Sequence, residues 1–360
     1  MARLRDLGFT IGRFPTGSSN TIADVAGVTV GHATVVRDEP AITRTGVTIV
    51  QPRPPGERDQ VCYGGLYSFN GNGEMTGSHW LDESGLLAGP IGITNTHQVG
   101  LVRDQIVAEI LGDQPSTEWC LPIVGETYDG FLNDIAAFAL TADDVQAALA
   151  DADADRIDDG GEPAEPVAEG NVGGGTGMIC HGFKGGIGTS SRVVEHDDGP
   201  FTVAALVQAN YGARELLRLE GRPVGELIGP DVVPLPDDPS AADAGSIIVI
   251  IATDAPLLAD QCKRLARRAT VGLARVGGTG ASSSGDIFVA FATGNRIPAA
   301  AVGVQTVRTL AAVDLTPFFN ATAEAVEESI WNALCQADTM TGHQGRTVHA
   351  IPHAELRMLA

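Results

Sequence analysis

At 360 residues, 43% of them hydrophobic and 45 of them glycine, the chain suits one large domain or two ordinary ones in a globular, loop-rich α/β protein. Its formal charge of −22 argues against a nucleic-acid partner, which needs clustered lysine and arginine, and leaves the acidic surface a role in solubility. MARLRDLGFT lacks the apolar core of a signal peptide, no run approaches the ~18 apolar residues of a membrane span, and five scattered cysteines without a CxxC pair point to a reducing, cytoplasmic setting rather than to disulfides or zinc.

In chain order, the first half reads as short strands broken by Gly and Pro: 27–36 (GVTVGHATVV), 46–51 (GVTIVQ) and 89–95 (GPIGITN). Apolar residues at helical spacing predict a helix over 102–111, and a strand over 121–124 precedes a loop holding Glu126, Tyr128 and Asp129. Thr141 and Asp144 make a capping box that starts a second helix, TADDVQAALADA. Residues 150–168 are acidic, small and proline-containing, and read as a solvated loop or insertion. The Gly-dense stretch 169–192 then leads to a strand at 201–209, ending at Asn210.

A second weak linker, 234–245 (PLPDDPSAADAG), runs directly into 246–253 (SIIVIIAT), whose nearly unbroken apolar, β-branched run is the pattern of a strand buried on both faces. Asp254 and Pro256 predict the start of a long helix over 255–276, with basic residues toward its middle and end. A strand at 286–293 and a helix near 322–337 close the chain, and no internal repeat is evident.

The Gly245–Ser246 junction has two readings. It is a glycine that starts a strand, or it is a cleavage site. If it is cut, Ser246 gains an α-amine with a pKa near ~7.7–8 that can act as base for its own hydroxyl. In the segment Ser282 to Phe288, a period of two puts Ser284 and Asp286 on one face and Ile287 on the other, provided the strand begins that early. Asp286 then holds the Ser246 ammonium and Ser284 passes a proton between them; the alternative is a serine-rich turn beside an ordinary surface acid.

Asn210 is a candidate amide donor to an oxyanion, or else a residue ending a strand. Tyr128 is placed to polarise a substrate carbonyl and Glu126 to meet a substrate ammonium, with a plain loop as the alternative. The run Gly173 to Gly177 lacks the spacing of a phosphate loop, so Gly174 and Gly175 are read as a tight backbone approach to the substrate. The eight histidines show no ligand spacing, and no metal or organic cofactor is expected.

Several blocks in one order carry a more specific signal: DVAGVTVGH at 24–32, NGNGEMT at 70–76 with Trp80, ETYDGFLNDI at 126–135, EGNVGGGTGM at 169–178, QANYG at 208–212, GSIIVIIATDAPL at 245–257 and SGDIF at 284–288. With these the chain resembles the DmpA-like family of L-aminopeptidase/D-amino-acid esterases and the related β-aminopeptidases, over nearly its whole length. The resemblance implies a single αββα sandwich of the N-terminal-nucleophile type. It also implies a precursor that cleaves itself into an α chain of residues 1–245 and a β chain of 246–360, and a homo-oligomer of such units.

Carried over residue by residue, Ser246 resembles the nucleophile, Ser284 and Asp286 its proton-handling partners, Asn210 an oxyanion donor and Tyr128 a second stabiliser. The substrate class implied is a small peptide or an amino-acyl amide or ester with a free amine. Alternatives are a related self-cleaving amidase for a non-peptide amide, of pantetheine or nylon-oligomer type, and more remotely a ligand-binding protein whose chain stays whole.

Overall fold

A computed structural model describes residues 2–57, 59–112, 119–154, 166–237 and 245–360. Most of the acidic stretch 150–168 and of the linker 234–245 lies outside the described residues. The strands are β1 (Thr29–Arg37), β2 (Thr43–Gln51), β3 (Gln60–Ser68), β4 (Leu86–Leu87), β5 (Ile91–Asn95), β6 (Ile123–Thr127), β7 (Ile179–Cys180), β8 (Phe183–Lys184), β9 (Gly186–Val194), β10 (Phe201–Asn210), β11 (Ser246–Thr253) and β12 (Asp286–Pro298). The helices that matter here are α1 (Ser78–Ser84), α2 (Val99–Leu111), α3 (Ala142–Asp153), α4 (Val224–Leu227), α5 (Ala259–Val276) and α6 (Leu315–Cys335).

Alternation along β11 explains the layering. Ile247, Val249 and Ile251 pack with α5 and α6, whereas Ile248, Ile250 and Ala252 pack toward a second sheet. β11 is central in a six-stranded sheet of order β4-β3-β12-β11-β10-β9, and the facing sheet has the order β1-β2-β5-β6. Val50, Ile91, Ile93 and Ile123 from the four-stranded sheet meet Leu206, Ile248, Ile250 and Phe291 from the six-stranded one. Val102 and Ile106 of α2 and Val145 and Leu149 of α3 cover the outer side of the smaller sheet, on Val47 and Ile49. The result is an αββα sandwich, and among the described residues no helix is long and apolar enough to cross a membrane.

Several boundaries differ from expectation for visible reasons. The long helix begins at Ala259 rather than 255, capped by Gln261, whose Oε1 accepts the Leu258 N–H at 3.0 Å, while Asp254 instead accepts the Thr202 N–H of β10 at 2.7 Å. The helix expected near 322–337 starts at Leu315, seven residues early, and does not close the chain, since a short helix at His353–Arg357 follows it. Glu126 and Thr127 are the end of β6, not a loop, because the strand pairs in parallel with β5 up to Asn95↔Thr127. The end of the Gly-dense stretch is the strand β9: a Cβ on Gly188 would overlap the Ser329 carbonyl of α6, so the sheet takes small residues where that helix lies against it.

Candidate active site

β11 starts at Ser246, which pairs with Asn210 across the antiparallel β10/β11 ladder, and on its other side Ile247 is in parallel register with Asp286 of β12. Three sequence-predicted residues therefore meet at one end of the central strands. Ser246 is 6% exposed, and its Oγ accepts the main-chain N–H of Gly285 at 2.9 Å. Gly245 precedes it where a Cβ would overlap the Asn210 carbonyl oxygen, so the close approach of the junction to β10 requires glycine.

Ser284 and Asp286 come together, although by a different route from the one expected. β12 begins at Asp286, so Ser284 lies in the turn before it, with its N–H on the Ala281 carbonyl at 2.9 Å. Its hydroxyl nonetheless donates to Asp286 Oδ1 at 2.6 Å. Burial pushes the Asp286 carboxyl above the usual range, opposed by the Ser284 hydroxyl and the Ile247 N–H. An aspartate held this way is a proton acceptor beside the first peptide of β11.

Asn210 is buried with its amide held at both ends. Oδ1 accepts the Ile179 N–H at 2.8 Å and Nδ2 donates to the Tyr128 carbonyl at 3.0 Å. One Nδ2 hydrogen is left for another acceptor. Tyr128 meets this amide through its main chain, while its phenol, for which a role on the substrate carbonyl is expected, folds over Gly130 with the residue 52% exposed. The loop carrying that carbonyl is anchored by Asp129, buried and bonded to Asn133 Nδ2 at 3.0 Å; burial pushes its carboxyl up to about 7.

Glu126 is buried at the end of β6. Its Oε1 accepts the Glu74 N–H at 3.0 Å and its Oε2 the Thr96 hydroxyl, and burial raises its pKa. Gly73 separates it from Gly285: a Cβ on Gly73 would sit 3.3 Å from Glu126 Oε1 and 3.1 Å from Gly285 Cα. A carboxylate suited to an ammonium thus stands one glycine away from the residue whose N–H holds the Ser246 hydroxyl.

Gly174 and Gly175 go elsewhere. Both are buried in a turn between the sheets, where a Cβ on Gly174 would overlap the Gln208 amide oxygen and one on Gly175 the Ile187 main-chain nitrogen. Each position takes glycine because the sheets close on it.

Sequence reasoning gave no role to the segment 70–74, which makes one wall of the site. The Asp286 N–H donates to the Asn70 carbonyl at 3.0 Å, and the Asn72 N–H to the Ser284 carbonyl at 3.1 Å. Its NGNG composition signals only a turn, and the partner strand is more than 200 residues away. Thr96 and the Gly285 N–H were missed for the same reason, since neither belongs to a motif of titratable residues.

The family model described as peptidase family S58 matches residues 20–348. The beta-peptidyl aminopeptidase BapA of Sphingosinicella microcystinivorans is 45% identical over 373 residues, covering 99% of this chain and 91% of that protein. A solved Burkholderia sp. beta-aminopeptidase superposes with a TM-score of 0.90 at 50% identity, over 99% of this chain and 97% of its own. The l-aminopeptidase d-Ala-esterase/amidase of Ochrobactrum anthropi gives a TM-score of 0.89 at 41% identity, over 99% and 97%. It is described as a prototype for the serine aminopeptidases and a new variant of the Ntn hydrolase fold.

Proposed function

This chain belongs to peptidase family S58 and is an aminopeptidase of it, and from that premise we propose that it cuts itself between Gly245 and Ser246 and then uses Ser246 as nucleophile and base. The observation that carries this reading is the Ser246 hydroxyl at the head of β11, held by the Gly285 N–H at 2.9 Å and flanked by the Ser284–Asp286 pair and by Asn210.

In self-cleavage the Ser246 Oγ adds to the Gly245 carbonyl carbon, and the acyl group moves from nitrogen to oxygen. Water then hydrolyses the ester, leaving a Gly245 carboxylate and a free Ser246 amine. In turnover that amine takes the hydroxyl proton as Oγ attacks the substrate carbonyl, and returns it to the leaving amine; water then releases the acyl group. Ser284 and Asp286 hold and relay the proton. The spare Asn210 N–H receives the oxyanion, an interaction whose loss costs on the order of 10²–10³ in rate. Tyr128, over Gly130 at the exposed side, donates a hydrogen bond from its phenol to the same oxyanion.

The substrate is a small peptide, or an amino-acyl amide or ester, whose free ammonium sits on Glu126. β-Amino acids are among the residues released, as suggested by relatives of 50% and 45% identity named for that activity. The five free cysteines suit a cytoplasmic, reducing setting. The exposed Val302, Val304 and Val313 suit contact between copies in a homo-oligomer.

Hydrolysis of L-alanyl and β-alanyl p-nitroanilides, with free and with N-acetylated amines, tests the reading. We expect turnover of the free-amine compounds, at least a 10-fold loss on acetylation, and none with Ser246→Ala. Equal rates on the acetylated compounds, or activity in Ser246→Ala, would contradict it.

A further inference from the structure

The chain has two lysines, Lys184 and Lys263, against a background of arginine. Lys263 is at the surface on Asp82, whereas Lys184 is fully buried. It ends the hairpin of β7 and β8, whose turn residues His181 and Gly182 both have positive φ, 50° and 68°, as a type I′ turn requires. No carboxylate among the described residues pairs with the Lys184 ammonium. It donates instead to the main-chain oxygens of Met178 and Gly185, each at 2.9 Å, and lies 3.4 Å from that of Gly175.

Burying an ammonium without a counter-charge is costly, and burial pushes the Lys184 pKa down to about 7. A methionine would fill the volume at less cost, so the charge calls for a use.

The oxygen it grips supplies one. Met178 O receives both Lys184 Nζ and the Gly185 N–H at 2.9 Å, and it belongs to the same planar peptide whose N–H, on Ile179, donates to Asn210 Oδ1 at 2.8 Å. Fixing the carbonyl end of a planar unit orients its N–H, and a cation on the oxygen strengthens that N–H as a donor. With Oδ1 so held, Asn210 Nδ2 must face the other way, toward the Tyr128 carbonyl at 3.0 Å, with one hydrogen to spare.

We infer that Lys184 is a positioning residue, acting through the Met178–Ile179 peptide to aim the Asn210 amide at the oxyanion formed on Ser246 chemistry. The inference rests on the part given to Asn210 in the proposed function.

A double-mutant cycle on the full chain separates the two. Lys184→Met, Asn210→Ala and the pair are assayed on an amino-acyl p-nitroanilide as kcat per processed chain, or as the rate of cleavage at Gly245–Ser246 where a variant stays unprocessed. Asn210→Ala is expected to lower the rate by roughly 10²–10³, and Lys184→Met by at least 10-fold with KM changed less than 2-fold. The pair should be no slower than Asn210→Ala alone. Losses that multiply, or a Lys184→Met rate equal to wild type, overturn the inference and leave the reading of Asn210 standing. An unaltered Asn210→Ala overturns that reading and this inference together. If Lys184→Met does not accumulate as folded protein, the same cycle with Lys184→Gln decides by the same rule.

Discussion

Ser284 and Asp286 show how far single residues could be read in advance. Their spacing and the adjacent strand pattern were visible, and their side chains meet at 2.6 Å even though Ser284 lies before the strand rather than on it. What the spacing could not show is the Gly285 main-chain N–H between them, which is the group that holds the Ser246 hydroxyl. Main-chain donors leave no mark in residue type, and the same is true of the Tyr128 carbonyl on Asn210. Asp286→Asn keeps the volume and removes the proton acceptor. We expect kcat on an amino-acyl p-nitroanilide to fall by roughly 10²–10⁴, the usual worth of a positioned acid–base group. Wild-type turnover in a processed Asp286→Asn chain would remove Asp286 from the site.

The elements divide by what packs on them. β11 and the capping box of α3 stand where the pattern put them, because one is apolar between Ser246 and Thr253 and the other carries its own start signal. β3 and β9 were not legible: Gly65 interrupts β3 where Lys263 of α5 lies on it, and glycine, serine and threonine fill five of the nine positions of β9, where α6 lies on the sheet. The same close packing buries charge. Glu328 of α6 receives Arg5 at 2.7 and 2.8 Å, Arg192 of β9 at 2.7 Å and the Asn20 amide at 2.6 Å. Burial alone would raise the Glu328 pKa, but the Arg5 hydrogen bond, the Arg192 and Arg5 charges and Asn20 together bring it below the ordinary value.

The sign of that shift sets a pH dependence. The unfolded chain binds the Glu328 proton more readily, so the stabilisation is present above the ordinary glutamate pKa of ~4.3 and is lost as pH falls through the lower folded value. Glu328→Gln leaves the buried Arg192 and the half-buried Arg5 guanidinium groups undercompensated and should cost about 3–5 kcal/mol at neutral pH. Thermal unfolding from pH 7 down to pH 3 checks this: the difference from wild type should be large at pH 7 and shrink once the pH falls below the ordinary glutamate pKa of ~4.3. A difference independent of pH would mean that the carboxylate charge is not what α6 contributes.

At the scale of the whole molecule, the sandwich was legible from its motifs, while its interleaving was not. β11 and β12 follow the Gly245–Ser246 junction in sequence but lie inside the larger sheet, flanked by β3 and β10 from before it. Glu328, after the junction, pairs with Arg5 and Arg192, before it. A cut at the junction thus leaves two fragments sharing one sheet, one apolar core and one buried ion cluster, and nothing in the ladder has to move for Ser246 to gain its amine.

The most direct test is therefore the intact mass of purified protein under denaturing conditions, wild type beside Ser246→Ala. The account predicts two wild-type fragments, one beginning at Met1 or Ala2 and one at Ser246, and a single uncut chain of about 37.3 kDa for Ser246→Ala. A wild-type chain that stays whole, or a Ser246→Ala chain that still parts at Gly245, would contradict it.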